Sequence, residues 1–279
     1  MARSPADAPA PTLALAITTF ERPDALRAVL RSALAQREWP DEILVADDGS
    51  GATTRDAIAA CALEANFPVR HLWQPHEGFR LTRLRNLAIA AAASDYLVFV
   101  DGDMVLHREF VADHRRLARR GWFTQGVRIP LDASATAARL AQPLCPLHAA
   151  SPGFGGLRRA YGLHAPALQT AMRRLANGFV AIKGCNQGFW RDDLRAADGF
   201  EEAFEGWGPE DKELCARLGF AGLRRQTLLF GGIAWHLDHP PAPRDRRAVN
   251  QGLLAETLQT RRTRARRGLS AHPAGNPVL

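Results

Sequence analysis

The stretch YLVFVDGDM, residues 96–104, decides the fold. Five apolar residues, Tyr96 to Val100, suit a strand buried on both faces, as in a sheet covered by helices. The strand ends at once in Asp101-Gly102-Asp103. The segments before it repeat this plan. Leu13–Ile17 and Glu42–Ala46 read as a first and second strand and Val69–Trp73 as a third. Between them, Pro23 to Gln36 places Leu26, Val29, Leu30 and Leu34 at helical spacing, with Pro23 early in the helix. Thr53–Ala65 reads as a second helix capped by Thr53 or Thr54, and Arg80–Ala93 as a third. Strands alternating with helices imply a mostly parallel central sheet flanked by helices, an α/β fold. Ligands of such sheets sit at the carboxyl ends of the strands, where Asp47-Asp48-Gly49-Ser50 and Asp101-Gly102-Asp103 both fall.

Downstream the pattern is less regular. Glu109–Arg120 reads as a helix, and Pro130 to Gly162 as a long excursion rich in Ala, Pro and Gly. Phe179–Ile182, Gly188–Trp190 and Thr227–Phe230 read as short strands. Pro209–Leu218 reads as a helix with Gly219 just past its end. The division expected is a flexible N-terminus over 1–12, one domain over 13–240 and a basic tail over 241–279. The domain's halves, 13–103 and 104–240, would share a cleft.

The 279 residues are 46% hydrophobic and 23% charged, which excludes disordered and fibrous chains. No apolar run approaches the roughly 18 residues needed to span a bilayer. The N-terminus shows no apolar core of a signal peptide. The four cysteines, Cys61, Cys145, Cys185 and Cys215, form neither a metal knuckle nor a dense disulfide framework. A reducing, cytoplasmic setting is therefore expected. The net charge is +7, and residues 241–279 supply most of it with eight arginines against Asp245 and Glu256. Such a tail can lie solvated or meet the inner face of an anionic membrane. No aromatics interleave with its arginines, which argues against nucleic acid.

Several clusters can carry chemistry, and each also has a plain structural reading. Asp101 and Asp103, one residue apart past a buried strand, offer hard oxygen ligands to Mg²⁺ or Mn²⁺. The same residues with Gly102 also make an ordinary turn. Asp47 or Asp48 can accept hydrogen bonds from a base or ribose, or belong to a βα turn with Ser50 capping the helix after it. Gly206-Trp207-Gly208-Pro209-Glu210-Asp211 sets adjacent carboxylates at a helix start beside an aromatic. One carboxylate can take a hydroxyl proton while Trp207 supports a sugar ring, or the acids merely complement the helix dipole. His236, with His239 as an alternative, is a candidate metal ligand or a structural histidine. Arg80, Arg83 and Arg85 precede the fourth strand. Arg80 and Arg85 are candidates to clamp a phosphate, the alternative being a solvated helix face.

The order ITTFERP, ADDGS, GFRLTRLRN, FVDGDM, GCNQGFWRDDL, GWGPEDKEL and WHLDH, over about Leu13 to His239, resembles a family 2 glycosyltransferase with a GT-A fold. GFR…RN and GWGxED point to the bacterial chondroitin-polymerase-like and galactosyltransferase-like branch. The resemblance implies a nucleotide-sugar donor, UDP-linked, and a glycan or lipid-linked acceptor. It sets Thr18, Glu21 and Arg22 beside the nucleotide and Asp48 or Asp47 on uracil or ribose. Asp101 would lie near ribose and metal, Asp103 would be the main carboxylate ligand of Mn²⁺ (or Mg²⁺), and His236 would complete that site. Asn186 would lie near the donor sugar or its phosphate. Glu210 would contact the acceptor and Asp211 would be the general base of an inverting transfer, with bacterial surface polysaccharide as the product by analogy. Two alternatives stand beside this. A nucleotidyltransferase would need a glycine-rich phosphate loop, and Thr18 to Pro23 holds no glycine. A sugar-binding protein with a degenerate site would not need Asp101, Asp103, Glu210 and Asp211 together. A dinucleotide-dependent oxidoreductase is excluded because this chain has no GxGxxG after the first strand.

Overall fold

A computed structural model describes residues 10–143, 147, 151, 153, 160–178 and 180–272 of the chain. The expected flexible N-terminus lies largely outside the described residues, as does part of the excursion from Pro130 to Gly162.

Four parallel strands form the framework: β1 (Leu13–Thr19), β2 (Glu42–Asp47), β3 (Val69–Trp73) and β4 (Tyr96–Asp101). Helices α1 (Pro23–Leu34), α2 (Ala52–Glu64) and α3 (Leu81–Ala91) connect them. The order is β3-β2-β1-β4-β8-β6-β9, with β8 (Asn186–Trp190) antiparallel to both β4 and β6 (Trp122–Gln125), and β9 (Arg224–Thr227) parallel to β6. The alternation of a pleated strand divides the core. Leu13, Leu15 and Ile17 of β1, with Tyr96, Val98 and Val100 of β4, pack beneath α1 and α2 around Leu26, Val29 and Ile58. Ala14, Ala16, Leu97 and Phe99 face the opposite layer, built from Ile89 of α3, Leu194 of α7 (Arg191–Ala196) and Leu214 of α8 (Glu210–Phe220). Both faces of these strands are thus dry, which is why they read as unbroken apolar runs.

A second sheet of three strands, in the order β5-β10-β7, meets the carboxyl end of β4. It consists of β5 (Met104–Leu106), β7 (Val127–Pro130) and β10 (Ile233–His236). Its core holds Val105, Ile129, Ile233 and Trp235 against Ala25 and Ala28 of α1. Helices α4 (Phe110–Leu117), α5 (Ala133–Ala141) and α6 (Pro166–Met172) complete the middle of the chain. Among the described residues no helix is long and apolar enough to cross a membrane. Cys61, Cys185 and Cys215 are free and buried.

Several local expectations are corrected. Helix α2 starts behind Gly51, with Thr53 and Thr54 inside its first turn, and the Ser50 hydroxyl accepts from the Glu21 N–H instead. Val180 to Ile182 is not a strand. Strand β9 ends at Thr227, where a strand was expected to begin, because it pairs residue for residue with β6. Gly219 lies inside α8, which runs on to Phe220. Residues 241–279 are not simply a solvated tail. Arg247–Thr260 form α9, with Asn250 and Thr257 fully buried. Many of the arginines find internal partners. Arg262 pairs with buried Glu201 and Glu213 at 3.2 and 3.1 Å, Arg246 pairs with Glu205, and Arg266 pairs with Glu256. Sequence reading missed this because Glu201, Glu205 and Glu213 lie far upstream.

Candidate active site

A cleft of about 460 Å³ opens where β1 and β4 end against the small sheet. Gly102 bends the chain out of β4. Its N–H donates to Thr18 O at 2.7 Å, and a Cβ there would stand 2.8 Å from that oxygen. A side chain larger than hydrogen would push β4 off β1, so the residue between the two aspartates must be glycine. Asp101 then faces Thr18 Oγ1 at 3.4 Å, and Asp103 projects across the cleft.

The small sheet brings the distant histidines to Asp103. β10 runs antiparallel to β5 with His236 opposite Met104, and Leu237 N–H donates to Asp103 O at 3.0 Å. His236 Nε2 and His239 Nε2 stand 3.6 and 3.0 Å from Asp103 Oδ2, and 3.2 Å from one another. Asp103 Oδ1 is buried and has no hydrogen-bond partner. Burial alone would raise the Asp103 pKa. The His239 hydrogen bond and the charges of His236, His239 and Arg22 outweigh it and hold the carboxyl below its ordinary range. Burial pushes His236 down to about 4, leaving a neutral imidazole at neutral pH. One ionised carboxylate with a free oxygen and two imidazoles converging within 4.8 Å fit a divalent cation such as Mn²⁺. The choice between His236 and His239 thus dissolves, since the geometry offers both.

The remaining predicted residues separate into those on the cleft and those behind it. Thr18, Arg22, Asp48, Asp101, Gly102 and Trp207 line it. Arg22 Nη1 lies 3.5 Å from Asp103 Oδ2. Asp48 is fixed by Gln74 Nε2 at 2.5 Å and His76 Nδ1 at 2.9 Å, and His76 stacks on Phe20, another cleft residue. Glu21 works behind the wall. It adopts φ +44° and accepts from Gly51 N–H at 2.9 Å, so it ties the end of β1 to the start of α2.

Three expectations are corrected, two of them by burial and that for Arg80 by its local partners. Asp47 is fully enclosed, accepting from Ser50 N–H and pairing with His71 at 2.9 Å, so it shapes the turn that presents Asp48. Asn186 is also enclosed. Its amide donates to Val127 O and Gly232 O and its oxygen faces His114, so it knits β8 to the small sheet rather than meeting a donor sugar. Arg80 is spent on Pro75 O and Glu77. Arg85, by contrast, is only 2% exposed and far from a solvated helix face. It bridges Glu210 Oε1 at 3.1 Å and Asp101 Oδ1 at 3.4 Å, with its guanidinium over the Phe200 ring.

Glu210 and Asp211 open α8 behind Pro209. Burial lifts Glu210 to about 7, against the pull of Arg85 and with the repulsion of Asp211. Burial also raises Asp211, opposed by Arg85 and by backbone N–H groups of Lys212 and Gly184. Trp207, two residues before Pro209, is 38% exposed and forms part of the cleft wall. Sequence reading missed Arg128, which shares the His236 side of the small sheet through β7, and Arg244, whose guanidinium lies 4.8 Å from the Trp207 ring centre. Neither sits in a motif. His239 had a signal, its i, i+3 spacing from His236.

Residues 14–160 match the sequence profile of Glycosyl transferase family 2, and residues 171–240 that of the N-terminal domain of galactosyltransferase. The chain is 25% identical over 244 residues to validoxylamine A glucosyltransferase of Streptomyces hygroscopicus, covering 82% of this chain and 52% of that one. It is 26% identical over 242 residues to hyaluronan synthase of Pasteurella multocida, covering 82% and 25%. The chain thus spans about half the length of these relatives or less. Among solved structures, TarS of S. aureus superposes with a TM-score of 0.61 at 16% identity, covering 93% of this chain and 41% of that one. The mannosyltransferase PcManGT of Pyrobaculum calidifontis, in complex with GDP-Man and Mn²⁺, gives 0.56 at 15% identity over 82% and 57%. With the ordered motifs and the parallel sheet already described, the profile match over more than half of its length makes this chain a member of glycosyltransferase family 2, with a GT-A fold.

Proposed function

We propose that this chain transfers a hexose or N-acetylhexosamine from a UDP-sugar to a hydroxyl of a glycan or lipid-linked acceptor, with inversion and with the help of Mn²⁺ or Mg²⁺. The convergence of Asp103, His236 and His239, with one Asp103 oxygen buried and unpaired, carries this reading. A divalent cation held there would offset the charge of a diphosphate leaving group. Arg22 and Arg128 on the same walls would add positive charge beside it. Asp48, held rigid by Gln74 and His76, is an acceptor for the N–H of a base or for ribose hydroxyls. Trp207 on the cleft wall would support the acceptor sugar, while Glu210 and Asp211, set behind that wall at the start of α8 with Glu210 tied to Asp101 through Arg85, would bind one acceptor hydroxyl and take the proton of the attacking one, respectively. With Asp211 as base, and with Glu210 and Asp101 engaged by Arg85 and Asp48 by Gln74 and His76, single displacement is favoured over a covalent intermediate.

The matched proteins support the donor class: a glucosyltransferase, a hyaluronan synthase, and TarS in complex with UDP-GlcNAc. Assembly of a bacterial surface polysaccharide fits them by analogy. Arg264, Arg266 and Arg267 keep more than half of their side-chain surface exposed, a positive face through which the chain would meet an anionic membrane carrying lipid-linked acceptors. The test is a screen of nucleotide sugars for metal-dependent hydrolysis and transfer. Hydrolysis of UDP-sugars that stops with EDTA and returns with Mn²⁺ is the expected result. Turnover of nucleoside triphosphates with release of pyrophosphate would favour the nucleotidyltransferase reading. Sugar binding without turnover would favour a degenerate site.

A further inference from the structure

The matched galactosyltransferase profile ends at residue 240, and the chain continues as α9. That helix packs on α8, and one of its two fully buried polar side chains faces the Trp207 loop. Asn250, with no exposed surface, donates both amide hydrogens to that loop, to Glu205 O at 2.9 Å and to Trp207 O at 3.0 Å. The fit is tight, because a Cβ on Gly208 would stand 2.6 Å from Asn250 Nδ2. Asn250 Oδ1 is buried without a partner, a cost that packing alone would avoid with an apolar residue. The two donors aimed at the loop explain the choice. Other restraints hold the loop at its start, where Thr82 Oγ1 donates to Phe204 O at 3.1 Å and Arg246 pairs with Glu205, but no other side chain donates to the Trp207 carbonyl among the described residues. Gly206 N–H donates to Phe79 O, and α8 begins with no side-chain cap. Arg244 covers the Trp207 ring from the segment just before α9.

We propose that Asn250 is a positioning residue for transfer. From the C-terminal helix it fixes the Glu205–Trp207 backbone, and through it the attitude of the Trp207 ring and of the Glu210–Asp211 pair three residues on. The inference rests on the roles given above to Trp207 and Asp211. A misplacement of about 1 Å at a reacting group is enough to cost about 100-fold in rate.

The experiment uses the full chain with Asn250→Ala, Asn250→Asp and, as a control on the same helix, Thr257→Val, which removes the bond from Thr257 Oγ1 to Glu213 Oε1 but touches neither the loop nor the cleft. Hydrogen exchange over residues 203–212 is read first, then kcat and KM for Mn²⁺-dependent hydrolysis of UDP-glucose and UDP-N-acetylglucosamine, then the thermal shift given by UDP with Mn²⁺. Both Asn250 variants are expected to exchange faster over 203–212. Their kcat should fall 10- to 100-fold, with donor KM and the UDP shift at wild-type values. Thr257→Val should lower the melting temperature and leave loop exchange and kcat alone. Unchanged exchange over 203–212 in the Asn250 variants overturns the proposal, as does a kcat loss no larger than that of Thr257→Val. Hydrolysis of neither donor by the wild-type chain would instead strike the function proposed above, and the exchange comparison would still decide whether Asn250 orders the loop.

Discussion

Replacing Arg85 by glutamine should destabilise the chain by an amount that grows with pH. Arg85 is buried between Glu210 and Asp101, and Gly184 leaves it so little room that a Cβ there would stand 2.7 Å from the guanidinium. Even with that partner, burial lifts Glu210 from 4.5 to about 7. A carboxyl whose pKa is higher in the folded chain than in the unfolded one favours folding at low pH. It loses that contribution as pH rises from its unfolded value through its folded one. Removing Arg85 takes away the group that opposes this shift, so the folded pKa of Glu210 climbs further. Asp101, also raised by burial and lowered by Arg85, moves the same way. At pH 5.5 Glu210 is largely protonated with or without Arg85, and the variant loses a hydrogen bond of about 1 kcal/mol. At pH 8 the variant must bury an unpaired carboxylate or take up a proton. Breaking a buried pair from one side costs about 3–5 kcal/mol. Glu210 keeps 12% of its side chain exposed, which favours the lower figure, about 3 kcal/mol. For a chain of this size the melting point should fall by about 6 °C at pH 8 and by about 2 °C at pH 5.5. Thermal melts followed by circular dichroism in EDTA, from pH 5.5 to 8, measure the gap. A gap that is constant with pH, or widest at pH 5.5, would refute the assignment of Arg85 as the counter-charge of Glu210.

Three further outcomes bear on the site. Asp211→Asn should lower turnover of a UDP-sugar by about 10²- to 10⁴-fold, the range of a lost general base, while UDP with Mn²⁺ still raises the melting temperature. Wild-type turnover would remove Asp211 from that role. Asp103→Ala should abolish the Mn²⁺-dependent part of UDP stabilisation, which at 100 times Kd amounts to about 2.7 kcal/mol, or roughly 5 °C; a retained shift would move the cation elsewhere. Sedimentation with phosphatidylglycerol-containing vesicles should weaken as salt rises, and a triple Arg264, Arg266 and Arg267 to glutamine variant should bind less at low salt and depend less on salt. Equal partition of that variant would exclude the C-terminal face as the contact.

The first half of the fold was legible because local signals agree there. β1, β2 and β4 are apolar runs closed by Asp, Gly or Thr, and their ends fell within one or two residues of expectation. Beyond residue 120 the strands shorten to four or five residues and are specified by distant partners. Arg224–Thr227 is a strand because β6 lies beside it, not because Arg-Arg-Gln-Thr resembles one. The acidic clusters were found by position at strand ends, yet which acid of a pair faces the cleft depends on the turn. Asp47 and Asp48 are adjacent in sequence, and the backbone turns one inward to Ser50 and His71 and the other to the cleft. The Arg-rich C-terminal segment hid its helix because its anchors, Glu201, Glu213 and the Trp207 loop carbonyls, are far upstream.

The same long-range pairing makes the aspartate and histidine motifs one structural unit. β5 begins one residue after Asp103, and its antiparallel register with β10 sets Met104 against His236 and Leu106 against Ala234. On its other edge β10 lies parallel to β7 with Ala234 against Arg128 and His236 against Pro130. Side chains alternate along a strand, so this register sends Trp235 into the core of the small sheet and His236 toward Asp103. A slip of one residue would exchange them, burying the imidazole in the apolar layer and exposing the indole to the cleft. The apolar demand of Trp235, packed with Val105, Ile129 and Ile233, therefore fixes the place of the polar residue beside it. The position of the proposed metal ligand is in this way set by hydrophobic packing on the opposite face, so that His236 is held in register whether or not a cation is bound.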